Sequence, residues 1–579
     1  MSLFARVDWS SNGPESRQLE GAVWINHVAV SADARIDNAA ELRSTLKVGR
    51  DTSIPELLVR AYLEWDDQLC QRIAGDFAFV IWDESRRRLL AARDPFGVRP
   101  LFYRFGNDRI WFSNRLRRLV DTFGGMPALD DQRVVEYLLG TYAAPERTFF
   151  RDIREVSAGS FLIASSSGAV SQHYWAPRIE PSGRRSPPIE YGLEFQRLFL
   201  QAVHRRLISS GPVMIHVSGG LDSSAIACAA DILKRDSGLS IPSLRGVSGQ
   251  YPGLDCDEST YINAVAQRVG FPIESWDETR LDVADIVDPG LEEPGIRTIF
   301  RGGTMGDVAI ARTNGASVIL SGLGGDQLGT VEGYIKDLIS NGKWREAIDE
   351  LMFFPKANTR SRIRRLTRLT QQFAPAWLLQ MRTKMRRRFP KWLTGEMRSL
   401  AAELAPPEVP PISGVSNVQR YTWKRLMSVE TLRNVSMMNV HASLHEMEYR
   451  FPFLDKDLIL FSLSIPYEAW PRPGAYARLH REALADLLPT EISERMGKAE
   501  FTSALVNKVR RASRSIMALF GTDWASGRYL DREQALSFCR GVLDGGIVGS
   551  VAWRQVWAMA TLEAWLRGIL AYDAAEKGN

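Results

Sequence analysis

The sequence predicts an α/β protein in two parts: a β-rich N-terminal domain, then a doubly wound parallel-sheet domain with added helices. Three observations predict it. Gly211–Lys234 reads as a short apolar strand, a glycine turn and a helix, and Ala316–Gln327 repeats the strand and the glycine turn. Between them, Leu244–Ser248, Tyr261–Val269 and Phe271–Trp276 alternate strand, helix and strand. That alternation argues for a parallel sheet, which gathers its ligands at the carboxyl ends of its strands. Residues 1–178 instead carry β-branched and aromatic runs with only short helical stretches.

At 579 residues the chain exceeds one ordinary domain. Its 45% apolar and 24% charged residues are those expected of a soluble globular protein. The net charge of +5 does not by itself argue for nucleic acid. The four cysteines, Cys70, Cys228, Cys256 and Cys539, are far apart and form no C-x-x-C pair. A disulfide framework or zinc site is therefore not expected, and a cytoplasmic location fits. No signal peptide is read at the N-terminus, and no run approaches the roughly 20 apolar residues of a membrane span.

In chain order, Gly21–Val30 and Phe77–Trp82 read as strands, and Ala39–Leu46 and Ile54–Trp65 as helices. Gly75–Asp83 and Arg93–Tyr103 read as two antiparallel strands joined by a polar turn. Arg178–Pro188 is rich in Pro, Ser and Arg without periodicity, so the linker is placed at 179–188 and the second domain at 189–579. Ile189–Ile208 is a helical run leading to the first glycine turn.

That turn carries the chemistry. Ser218, Gly219, Gly220, Asp222 and Ser223 follow a buried strand and open a helix, where free N–H groups and the helix dipole favour an anion, most naturally phosphate. The lysine of a Walker loop is missing. A carboxylate beside phosphates calls for a metal between them, and Mg²⁺ binds through one or two carboxylates plus phosphate oxygens. Ser248 is expected at the same end of the sheet. Ser321, Gly322 and Asp326 of the second turn form another edge of a nucleotide cleft, with Asp326 closing the metal site opposite Asp222. Asp255, Asp257 and Glu258 read as solvated loop carboxylates. Between Lys343 and Arg398, fifteen Lys and Arg stand against four Asp and Glu, with aromatics interleaved. This basic helical region, 343–411, offers either a solvated face or a peptide groove, and ends in the proline-rich Ala405–Pro411. Tyr421–Glu446 reads as one helix, and His441 and His445 on it lack a third metal ligand.

The first turn, S-G-G-L-D-S-S at 218–224, resembles the pyrophosphate loop of ATP pyrophosphatases of the asparagine synthetase type. Residues 75–103 resemble the class II glutamine amidotransferase domain that precedes it in those enzymes. The resemblance implies that ATP is cleaved between its α and β phosphates, that AMP is placed on a carboxylate, and that an amine then forms an amide. In the family, the second turn touches the adenosine and supplies the second metal ligand. It also implies a role for two further residues. The segment His445–Asp455 is similar to the family's H-x-x-E-x-R-x-P-F-L-D stretch beside the acyl substrate, which makes Glu448 a candidate to orient or deprotonate the amine. An ion pair between Glu448 and Arg450 that shapes the turn is the alternative. Lys498 matches the family's lysine before an aromatic residue and would oppose negative charge as AMP leaves.

Three departures narrow the expectation. The amidotransferase nucleophile is an N-terminal cysteine, whereas this sequence opens Met1-Ser2-Leu3. Its glutamine-holding N-G-E-I-Y-N segment has become Ala34-Arg35-Ile36-Asp37-Asn38. Asparagine synthetases carry Glu and β-lactam synthetases Tyr where this chain has Leu323. The branch that fits is the lasso peptide cyclases, which adenylate an Asp or Glu side chain of a precursor peptide and close a macrolactam, an isopeptide bond, with its N-terminal amine. The expected partners are that precursor and a leader-removing protease, with no nucleic acid and no membrane span. The alternatives are a glutaminase-dead asparagine synthetase, a β-lactam-type synthetase, or a non-catalytic peptide-binding scaffold.

Overall fold

The computed structural model describes residues 3–578 apart from 11–16, 143, 178, 180–186, 237–240, 280–292, 295–302, 330–332, 353–388, 405–408, 411, 413–414, 470–477, 496–498 and 522–523. Most of the linker at 179–188, most of the basic region and Lys498 thus lie outside the described residues.

The first half holds two antiparallel sheets. One runs in the order 17–19, 4–8, 109–113, 102–106, 154–155, the other 168–173, 160–165, 88–93, 75–83, 28–36, 23–25. Strand Gly75–Asp83 shows why they stack, because side chains alternate across a strand. Ala78, Val80 and Trp82 meet Ala5, Val7, Ile110 and Phe112 between the sheets. Phe77, Phe79 and Ile81 face the other way, toward Leu57, Leu58 and Tyr62 of the helix Ile54–Trp65. Strand Gly75–Asp83 is therefore apolar on both faces, and the helix covers the outer one. The single strand expected at Gly21–Val30 is instead the hairpin 23–25 and 28–36, turned at Asn26 with φ 55°.

In the second half, five parallel strands run in the order 273–277, 244–250, 213–216, 318–320, 448–450. Helices Pro188–Leu207 and Leu221–Arg235 flank the central strand in the chain. The helix expected over Tyr421–Glu446 is two helices, 417–426 and 429–443. The second starts at Ser428, whose side chain accepts the Thr431 amide at 3.2 Å; such an N-cap fixes a new helix start.

The halves share their cores. Trp565, fully buried in the long helix Ser550–Gly578, meets Phe149 and Phe150 of the first half with ring centroids 5.0 and 5.8 Å away. Tyr137 and Thr561 share a hydrogen bond of 2.5 Å nearby, and Trp175 packs on Trp423 at 5.3 Å. Among the described residues, no helix is long and apolar enough to cross a membrane. Trp565→Ala should cost about 3–5 kcal/mol, the usual range for emptying a buried aromatic site, measured by chemical denaturation.

Candidate active site

The strand order reverses beside Val213–His216: the chain first builds outward through 244–250 and 273–277, then returns to add 318–320 and 448–450 on the other side. A crevice opens at the carboxyl ends of the two strands flanking such a reversal. Both glycine loops leave from there, and they touch. A Cβ on Gly325 would fall 2.2 Å from Cγ of Asp222, and one on Gly322 would fall 2.9 Å from the Ser223 nitrogen. Gly324 between them has φ +106°, a backbone state L side chains rarely adopt. Gly322 and Gly325 let the second loop lie directly against the first, which sets Asp222 beside the residue preceding Asp326.

The first loop organises its own polar groups. Ser223 Oγ accepts the Ser218 amide at 3.0 Å, and the Ser218 and Ser223 hydroxyls pair at 2.7 Å. Ser224 Oγ donates to the Ser218 carbonyl at 3.0 Å, and the Gly220 amide reaches Ser218 Oγ at 3.3 Å. Gly220 caps helix Leu221–Arg235 with no side-chain hydrogen bond, and Asp222 sits in its first turn. Ser248 is fully buried at the same end of the sheet, its Oγ without a hydrogen-bond partner among the described residues. Ser321 is buried, and its amide donates to the Arg450 carbonyl at 3.0 Å. The structure thus brings Ser218, Gly219, Gly220, Asp222, Ser223, Ser248, Ser321, Gly322 and Asp326 to one end of the sheet.

Arg481 and His480 stand near this crevice. Burial pushes the Arg481 guanidinium down while the charge of Asp222 pulls it back up. Burial also drives His480 down to about 4, against the charge of Asp326, so the imidazole is neutral near pH 7. It is stacked on Phe195 at 4.5 Å. The donor set suits magnesium. Asp222, in the first turn of helix Leu221–Arg235, and Asp326 lie on abutting loops, and no group of three or more His, Cys, Asp or Glu suited to a metal occurs among the described residues. Mg²⁺ typically takes such a pair of carboxylates plus phosphate oxygens and water, not an all-protein cage.

One expected residue is elsewhere. Glu448 opens strand 448–450 level with Val318, at the amino-terminal end of the parallel sheet, and the loops leave the opposite end. Its carboxylate is held by Arg450 at 2.5 Å and by Arg99 from the first half. The ion-pair alternative is the arrangement found, and Glu448 is not in position to act as a base at the loops. Leu323 is half-buried against the core.

Two residues escaped the sequence analysis. Among the loop acids, Asp255 is exposed as expected, but Glu258 is buried and accepts the Gly219 amide at 3.2 Å. Arg495 donates to the Gly219 carbonyl at 2.6 Å and to Glu258 at 2.5 Å. No local pattern marks either. The only signal is that Glu258 directly precedes a helix and Arg495 stands three residues before Lys498. Gly325→Ala should displace the Asp222 carboxylate. Misplacements of about 1 Å can cost about 10² in rate, so magnesium-dependent ATP–pyrophosphate exchange should fall by that order while the unfolding midpoint stays near wild type.

Comparison with known proteins identifies the family. Residues 194–567 match the asparagine synthase family and residues 25–175 the glutamine amidotransferase domain. Asparagine synthetase (glutamine-hydrolyzing) 3 of Bacillus subtilis is 32% identical over 195 residues, 34% of this chain and 31% of that protein. Amidase chyE of Penicillium rubens is 27% identical over 297 residues, 48% of this chain and 42% of that protein. A putative asparagine synthetase (glutamine-hydrolyzing) of Mycobacterium bovis is 24% identical over 500 residues, 80% of this chain and 73% of that protein. The alignments to the first two thus span less than half the length of those relatives. With the family match running from the helix before the first glycine loop nearly to the end of the last helix, the chain belongs to the asparagine synthase family.

Proposed function

We propose that this protein is an ATP-dependent, AMP-forming ligase that joins a side-chain carboxylate of a precursor peptide to the peptide's own N-terminal amine, a lasso peptide cyclase. The observation that carries the reading is the contact of two glycine loops bearing Asp222 and Asp326, the second of which carries Leu323, a side chain that neither donates nor accepts a proton. Two features support it. All four cysteines are buried, and burial pushes the Cys70, Cys228 and Cys539 thiols up, so none is poised to attack glutamine. The segment at the glutamine-holding position is engaged in ion pairs: Arg35 binds Asp76 at 2.6 Å and also Asp37.

In this reading the substrate carboxylate attacks the α-phosphorus of ATP and the bond to the β-phosphate breaks. The loop 218–223 and the first turn of its helix hold the departing pyrophosphate. Magnesium, when bound, would screen the phosphate charge, and Asp222 and Asp326 would hold it. The peptide amine then attacks the acyl carbon, loses its proton, and AMP leaves, with Lys498 opposing the charge that develops. A second reading, a small-substrate asparagine synthetase, is favoured by the names of the Bacillus and Mycobacterium relatives.

Incubated with ATP, magnesium and a leader-free precursor from its own gene neighbourhood, the protein should yield AMP, pyrophosphate and a peptide lighter by one water. Asp222→Asn and Asp326→Asn should abolish this. Asparagine formed from added aspartate and ammonia, with no change in the peptide mass, would establish the second reading instead. Lys498→Ala should lower kcat by about 10²–10³, typical for loss of an electrostatic stabiliser of the transition state, with little change in peptide KM. Single-turnover and steady-state kinetics check it.

A further inference from the structure

Gly219 is gripped at both ends of its backbone. Its N–H goes to Glu258 Oε2 at 3.2 Å and its carbonyl accepts Arg495 Nη1 at 2.6 Å. Glu258 Oε1 and Arg495 Nη1 close the ring at 2.5 Å. The three partners come from separate stretches of chain, and Arg495 also lies over Tyr261 with its guanidinium 4.1 Å from the ring centroid. The fit leaves no room for a side chain on the loop, since a Cβ on Gly219 would meet Glu258 and Tyr261 at 2.8 Å and Arg495 at 2.9 Å. Arg481 secures the approach to Arg495 by donating to the Ile492 and Ser493 carbonyls at 3.1 and 2.5 Å.

The arrangement has an electrostatic cost. A phosphate loop gains from spare N–H donors and loses from nearby negative charge, yet here a buried carboxylate occupies one of the loop's amides. Arg495 is the group that neutralises it. We propose that Glu258 and Arg495 are positioning residues that shape the phosphate loop as a charge-neutral latch: Glu258 sets the direction of the 219 peptide, and Arg495 cancels its charge so that pyrophosphate can be held. The inference rests on the reading of 218–223 as the phosphate site. It also makes Arg495 the link between that loop and the segment carrying Lys498, three residues further on.

A merely structural pair and a charge-neutral latch differ in how their variants combine. Removing one partner of a buried ion pair leaves the other charge uncompensated, so the damage exceeds that of removing both. The test is calorimetric titration of magnesium-ATP and of inorganic pyrophosphate into the full chain, with thermal unfolding as the folding control. Arg495→Gln should weaken both ligands by about 10–100-fold, and Arg495→Lys should recover part of that. Glu258→Gln should leave affinity within about threefold of wild type or tighter. The double variant should bind at least about tenfold better than Arg495→Gln alone. A double variant no better than Arg495→Gln overturns the proposal. Should Arg495→Gln not fold, a loss beyond threefold in Glu258→Gln overturns it as well. Wild-type protein that binds neither ligand would overturn the phosphate reading itself, and the latch with it.

Discussion

The pairing of strand Val213–His216 with strand Val318–Leu320 is the contact on which the rest depends. These strands are more than a hundred residues apart in sequence, yet Val213, Met214 and Ile215 lie in parallel register with Val318, Ile319 and Leu320. Parallel pairing makes both chains point the same way, so both glycine turns leave the sheet on one side. Register then decides which residues meet: with Ile215 level with Leu320, Ser218 and Ser321 stand a few residues beyond matched strand ends. Glycines at 322 and 325 allow the remaining approach, and the Asp222 carboxylate is placed against the second loop.

The opposite end of the same sheet serves a different purpose. There Arg206 and Asp455, 2% and 1% exposed, form a buried ion pair that Arg205 joins at 3.1 Å, and Asp37 of the first half stands 3.6 Å from Arg206. Burial raises the Asp455 carboxyl, but Arg206 and Arg205 outweigh it and hold it below the usual carboxylate range. Asp455 also caps helix Lys456–Ser464 by accepting the Asp457 and Leu458 amides at 3.0 and 3.3 Å. Glu448, Arg450 and Arg99 continue the same web across the halves. Such pairs are costly to desolvate, so much of the cohesion here is assigned to apolar contacts such as Trp565 with Phe149 and Trp175 with Trp423. The ion pairs orient one half on the other. The segment Ala34–Asn38, at the place where the family holds glutamine, thereby contributes to docking through Arg35 and Asp37.

The motif that looked most like substrate chemistry at the C-terminal side, E-x-R-x-P-F-L-D, is thus mostly architecture in its described residues. Arg450 donates to the Arg206 and Ile208 carbonyls at 2.8 and 2.6 Å, tying the last strand of the sheet to the end of helix Pro188–Leu207. A spacing of charged residues cannot distinguish these roles, because a carboxylate two residues from an arginine is equally suited to a turn and to a substrate.

What the sequence determined alone was local. Apolar strand, small turn and helix at 211–234 and 316–327 follow from periodicity and from glycine, and with them came the two glycine turns and their carboxylates, Asp222 and Asp326. Backbone geometry within one strand–turn–helix unit needs no distant partner to be specified. Tertiary structure decided everything that depends on which strand lies beside which, and on which end of it a residue falls. It moved Glu448 to the far end of the sheet, because a parallel strand's first residue and its last face opposite edges. It drew Glu258 out of solvent and onto Gly219, with Arg495 arriving from 237 residues further along the chain. Long-range contacts of that kind leave no period or motif in the sequence, since their partners are set by the packing of separate elements and not by spacing along the chain.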